Sequence, residues 1–93
     1  MKNILLLEDD LILGETLKEI LEDEDYKVTW VKDGNDGLSK TFEKDFDLYL
    51  FDVNVPFING FELLQSLREN KDITPAIFIT ALVDIDNLTK GFK

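Results

Sequence analysis

The feature that most constrains this chain is an alternation of short apolar runs with longer amphipathic stretches. Ile4-Leu5-Leu6-Leu7 is continuously apolar and ends in charge, the pattern of a strand buried on both faces. Leu13, Leu17, Ile20 and Leu21 then recur at helical spacing, with Asp10 placed to cap the helix start. Val28 to Val31 reads as a second strand, rich in β-branched and aromatic residues. A helix is expected from Asn35 to Lys44, although Gly37 inside it costs about 1 kcal/mol relative to Ala. Asp47 to Asp52 is a third strand that ends in a carboxylate, and Val53 to Asn59, with Pro56, is a loop. Gly60 to Glu69 predicts a third helix with Leu63, Leu64 and Leu67 facing inward. Ala76 to Thr80 predicts a fourth strand, and Ile85, Leu88 and Phe92 have the spacing of a fourth helix.

The order βαβαβαβα implies an α/β fold, a doubly wound parallel sheet with helices on both faces. At 93 residues the chain suffices for one domain, residues 1–93. Its formal net charge of -10 argues against nucleic acid as a partner, because phosphates would repel it. Such a surface suits a divalent cation or a basic protein. The absence of Cys removes disulfides and thiolate metal sites, and the absence of His removes imidazole catalysis. Glu8-Asp9-Asp10 cuts the first apolar run too short for a signal peptide, and no segment is long enough to span a membrane. A cytoplasmic location is expected.

In open parallel sheets, ligands sit beyond the carboxyl ends of the strands. The polar groups at those ends are Glu8-Asp9-Asp10 after strand one, Asp52 after strand three, and Thr80 after strand four. They converge if strands one and three are neighbours and strand four lies beside strand three. Clustered carboxylates repel unless a proton or cation intervenes. Hard oxygen ligands suit Mg²⁺, which offsets the charge of a phosphoryl group and lets an aspartate attack phosphorus. Thr80 would hydrogen-bond a phosphoryl oxygen, and Ala81 is small enough to leave room for one. Separately, the acidic triplet could be a helix N-terminus and Asp52 or Thr80 ordinary turn or cap residues. Their joint placement favours chemistry.

At these residues the sequence resembles the response-regulator receiver family. The matching stretches are Ile4 to Asp10, Asp47 to Asp52, Pro56 to Leu64, and Pro75-Ala76-Ile77-Phe78-Ile79-Thr80-Ala81. The resemblance implies a flavodoxin-like strand order, 2-1-3-4 here. It implies that Asp52 is the phosphoacceptor, Asp9 a direct Mg²⁺ ligand, and Glu8 its acidic companion acting through water. Asp10 is then a cap, the backbone carbonyl of Asn54 completes the metal site, and Thr80 is the switch hydroxyl. It also implies a phosphohistidine donor on a sensor histidine kinase or phosphotransfer protein. Family domains carry a fifth strand with a Lys-Pro pair and an aromatic switch residue, then a fifth helix. The chain stops at Lys93, so the resemblance implies a receiver incomplete at its C-terminus, and Lys90 and Lys93, on the expected fourth helix, are not assumed to replace the missing lysine. Without the fifth strand, strand four is an apolar edge, and a homodimer through that edge or the fourth helix is expected. Two rivals stand beside this. Asp52-Val53-Asn54-Val55 partly imitates the haloacid-dehalogenase phosphatase motif, with Asn54 where a second Asp belongs. The alternative to any phosphorylation is an interaction module alone. A nucleotide-binding domain is disfavoured, since no Gly-rich loop follows strand one.

Overall fold

The computed structural model describes residues 1–79. Within them the elements run β1 (Asn3–Leu7), α1 (Leu11–Asp23), β2 (Lys27–Val31), α2 (Gly34–Glu43), β3 (Leu48–Asp52), α3 (Gly60–Glu69) and β4 (Ala76–Ile79). The strands form one parallel sheet in the order β2-β1-β3-β4, as the resemblance implied. Thr80, the fourth helix, Lys90 and Lys93 lie outside the described residues.

Side chains alternate across the strands, so each strand feeds two layers. Leu5 and Leu7 of β1, Val31 of β2, and Tyr49 and Phe51 of β3 join Leu63 and Leu67 of α3 and the buried Phe46 in one core cluster. Ile4, Leu6 and Val28 are buried outside that cluster, and α1 packs on β1 and β2. Each fully buried aliphatic side chain contributes about 1.5–3 kcal/mol, so a core of this size is adequate for a small domain.

Helix boundaries follow their caps. Asp10 Oδ1 accepts from the amides of Ile12 and Leu13 at 2.9 and 3.0 Å, which starts α1. Asp33 Oδ1 accepts from Asp36, so α2 begins at Gly34, one residue earlier than the periodicity suggests. Asn59 and Glu62 form a reciprocal capping box at the start of α3.

Three details depart from the sequence reading. Ile20 is 54% exposed rather than buried, because α1 turns its Leu13, Leu17 and Leu21 face inward. Asp47 precedes β3 instead of opening it; its carboxylate and amide both clasp the backbone of Asn3, at 2.7 and 2.8 Å. Gly37 is not simply a weak point in α2. A methyl there would lie 2.9 Å from Leu63 Cδ2, so the missing side chain lets α2 close on α3.

Candidate functional site

The parallel register builds the site. Leu7 of β1 pairs with Phe51 of β3, so the next residues, Glu8 and Asp52, emerge side by side at the carboxyl end of the sheet. Asp9 follows at once, before α1 begins. One carboxylate oxygen from each of Glu8, Asp9 and Asp52 can be chosen so that all three lie within 4.8 Å of one another.

Their environments differ. Glu8 and Asp52 are 1% and 4% exposed, whereas Asp9 is open to solvent. Glu8 Oε2 accepts from the Asp10 amide at 3.0 Å, but Oε1 is buried and has no hydrogen-bond partner among the described residues. Burial therefore pushes the Glu8 carboxyl up to about 7, against the lowering effect of the Asp10 N–H. The neighbouring Asp52 and the charge of Asp9 push in the same direction as burial. Asp52 Oδ1 accepts from the Asn54 amide at 3.1 Å, which holds the loop after β3 against the site.

Two backbone contacts fix the frame. A Cβ on Gly60 would stand 2.4 Å from the Asp52 carbonyl oxygen, so only glycine lets the first turn of α3 press on the end of β3. The Glu8 amide donates to the Val31 carbonyl at 3.0 Å, and the Glu8 carbonyl accepts from the indole Nε1 of Trp30 at 2.8 Å. Gly14 of α1 makes room for that indole, because a Cβ there would lie 2.2 Å from Trp30 Cζ2.

The sequence-derived carboxylates Glu8, Asp9 and Asp52 are thus brought together. Asp10 stands apart as the cap of α1, and Asn54 lies exposed on the adjoining loop. Sequence reasoning missed Trp30, Gly14 and Gly60. Gly60 was open to discovery, since Asn59-Gly60-Phe61-Glu62 is a capping-box signature that fixes where α3 starts. An orphaned buried oxygen beside two further carboxylates is a donor set that fits a hard divalent cation, Mg²⁺ above all.

The family model of the response regulator receiver domain matches residues 4–93. The chain belongs to this family. Receiver domains bind Mg²⁺ at an acidic pocket, and Glu8, Asp9 and Asp52 form an acidic cluster here. The chain is 32% identical over 93 residues to the transcriptional regulatory protein PcoR of Escherichia coli, covering 100% of this chain and 41% of that protein. It is 41% identical over 93 residues to the transcriptional regulatory protein CrdR of Helicobacter pylori, covering 99% of this chain and 44% of that protein. The chain therefore spans less than half the length of these curated relatives. Among solved structures, the non-phosphorylated HemR receiver domain of Leptospira biflexa matches with a TM-score of 0.73 and 36% identity, over 99% of this chain and 74% of that one. The receiver domain of the Francisella response regulator 1452 matches with a TM-score of 0.84 and 26% identity, over 99% of this chain and 76% of that one. Neither the phosphatase rival nor the interaction-module rival is favoured by these likenesses.

Proposed function

We propose that this receiver accepts a phosphoryl group on Asp52 from a phosphohistidine of a sensor histidine kinase or phosphotransfer protein. The observation that carries this is the convergence of buried Glu8 and Asp52 with exposed Asp9 at the end of β1 and β3. In the transfer, an Asp52 carboxylate oxygen forms the new O–P bond while the P–N bond to the donor imidazole breaks. The electron pair of that bond returns to the imidazole nitrogen. Asp9, Asp52 and the Asn54 carbonyl would hold Mg²⁺ directly, with Glu8 behind them through water. Bound there, Mg²⁺ would supply positive charge to offset that of the incoming phosphoryl group. Solvent exposure of Asp9 leaves the donor a way in, and the Asn54 amide orients the Asp52 carboxylate. Thr80 follows β4 by one residue and takes the switch role in this reading.

Residues 1–93 all belong to one receiver domain in this reading, a stoichiometric phosphoacceptor rather than a turnover enzyme, with slow transfer from small phosphodonors. No helix among the described residues is long and apolar enough to cross a membrane, and a cytoplasmic setting suits the kinase partner. Nucleic acid is no partner of this acidic segment. β4 is an outer strand among the described residues and its Ile77 is 54% exposed, which supports pairing of two copies through that edge. Sedimentation over a concentration series tests the pairing, and a monomer at all concentrations refutes it.

Incubation with a small acyl phosphodonor and Mg²⁺, read by intact mass, tests the central step. One added phosphoryl group is expected, absent in Asp52→Ala. The same mass increase in that variant would sink the assignment.

A further inference from the structure

We propose that Trp30 is a positioning residue for the carboxylate site, acting through the peptide that links Glu8 to Asp9. The parallel ladder between β1 and β2 runs as far as the pair Leu7 and Val31. Beyond it, the Glu8 amide still bonds the Val31 carbonyl, but the Glu8 carbonyl is met by a side chain, the Trp30 indole N–H at 2.8 Å. The indole supplies one more rung where the backbone of β2 turns away. Both polar atoms of Glu8's backbone are thereby tied to the outer strand. The tethered carbonyl belongs to the same peptide plane as the Asp9 amide, so it sets the directions in which Glu8 turns in and Asp9 turns out.

Three further observations belong to this arrangement. Gly14 leaves a gap in α1 that the indole fills, since a Cβ would overlap Trp30 Cζ2 at 2.2 Å. The Lys32 ammonium stands over the ring, 5.2 Å from its centroid. Among the described residues the Asp10 amide is the one backbone donor to the Glu8 carboxylate and Oε1 is left unpartnered, so its side-chain hydrogen bonds fix it weakly and its backbone must aim it. Trp30 never touches the reacting atoms. It acts by keeping two carboxylates aimed at one point, and an aim lost by a fraction of an ångström weakens cation binding.

This inference rests on the Mg²⁺ reading of the cluster, and the test separates the two. Trp30 is the only tryptophan, so the ¹⁵N-labelled chain gives a single indole N–H resonance. Titrated with MgCl₂, that resonance is expected to shift, with the same midpoint as calorimetric binding. Trp30→Phe keeps a ring and loses the donor; Mg²⁺ should then bind about five-fold more weakly, the scale of coupling between residues in one hydrogen-bonded network. Gly14→Ala, which displaces the indole, should weaken binding in the same direction. Both are measured well below the unfolding temperature, where lost stability alone leaves the affinity of the folded chain unchanged. Calorimetric binding with an unmoved indole resonance, or an unchanged affinity in folded Trp30→Phe, overturns the positioning role alone. No binding to the unaltered chain overturns the metal reading and this inference with it.

Discussion

Glu8 and Asp72 are carboxyl groups at opposite ends of one sheet, and they are treated in opposite ways. Glu8, at the carboxyl end of β1, is buried beside Asp52 and Asp9 with one oxygen unpartnered among the described residues, and it is pushed up to about 7. Asp72, just ahead of β4, is desolvated too, which alone would raise it. Hydrogen bonds from Thr74 and the Tyr49 hydroxyl outweigh that, with help from the Arg68 charge, and hold it below its usual value. The Thr74 amide donates to Asp72 Oδ1 at 2.9 Å, the Tyr49 hydroxyl donates to the other oxygen, and Arg68 Nη1 reaches the Asp72 carbonyl at 2.8 Å. The Tyr49 hydroxyl is correspondingly pushed up, by burial first and by Asp72 second. Burial alone does not decide whether a carboxylate is comfortable; the supply of donors does. The amino end is complete as it stands, while the carboxyl end is left wanting positive charge.

The largest test of that contrast is to supply the charge. Saturating Mg²⁺, at about a hundred times its Kd, should add about 3 kcal/mol to the stability of the chain by binding the native state alone. Thermal unfolding reads this as a raised midpoint. Asp9→Ala should remove the rise, and Asp72→Ala should keep it.

The next test is pH, without metal. The folded value of Glu8 near 7 lies above its ordinary 4.5, so between those values the folded chain binds more protons than the unfolded one. Stability from this group is therefore fully present below about pH 4.5 and declines as pH rises to about 7. At about 1.4 kcal/mol per pH unit the full separation corresponds to about 3.5 kcal/mol, and solvent screening at the open, Asp9 side of the cluster brings the expected decline to about 2–3 kcal/mol. Asp72 runs the other way: its contribution is present above 3.8 and is lost as pH falls through its depressed folded value. Urea titrations from pH 4 to pH 8 should show the decline in the unaltered chain and not in Glu8→Gln. A flat profile in the unaltered chain would show that Glu8 is better solvated than its burial implies.

Paired substitutions sharpen the comparison further. Asp72→Ala leaves the Tyr49 hydroxyl without its acceptor and should cost about 1–3 kcal/mol. Asp52→Asn, without metal at pH 7, should instead stabilise by about 1 kcal/mol, since it removes a charge from beside Glu8 and Asp9. Denaturation midpoints that move in the same direction for both variants would break the contrast. The smallest effect belongs to Tyr49→Phe, about 0.5 kcal/mol of destabilisation, because Asp72 keeps Thr74 and solvent.

Much of this architecture was legible because it is written in short-range pattern. The apolar runs marked β1 to β4, and the carboxylates Glu8, Asp9 and Asp52 stood out by ending strands. Asp10 announced the start of α1. What stayed hidden depends on contacts between distant residues. The Trp30 indole reaches a carbonyl twenty-two positions away in sequence, and Gly14 has meaning only once that indole is in place. Gly37 looked like a defect until Leu63 of α3 was set against it. Ile20 fits the helical period of α1 yet falls off the covered face, since periodicity names a stripe and packing decides its width. The difference between buried Glu8 and exposed Asp9 was likewise invisible, because adjacent residues carry the same charge in the sequence and opposite environments in the fold.

The pairing of Leu7 with Phe51 has a consequence for how such a chain can change length. A single residue inserted within Asn3–Leu7 or Leu48–Asp52 would turn every later side chain of that strand to the other face and carry Glu8 or Asp52 away from its neighbour. The two acidic groups therefore tolerate substitution elsewhere far better than any insertion or deletion in the strands that bring them together. The turn at Asp23 to Tyr26, exposed throughout and at the amino end of the sheet, has no such constraint. Length variation should collect there, and peptide tags placed in that turn should leave the spacing of the three carboxylates untouched.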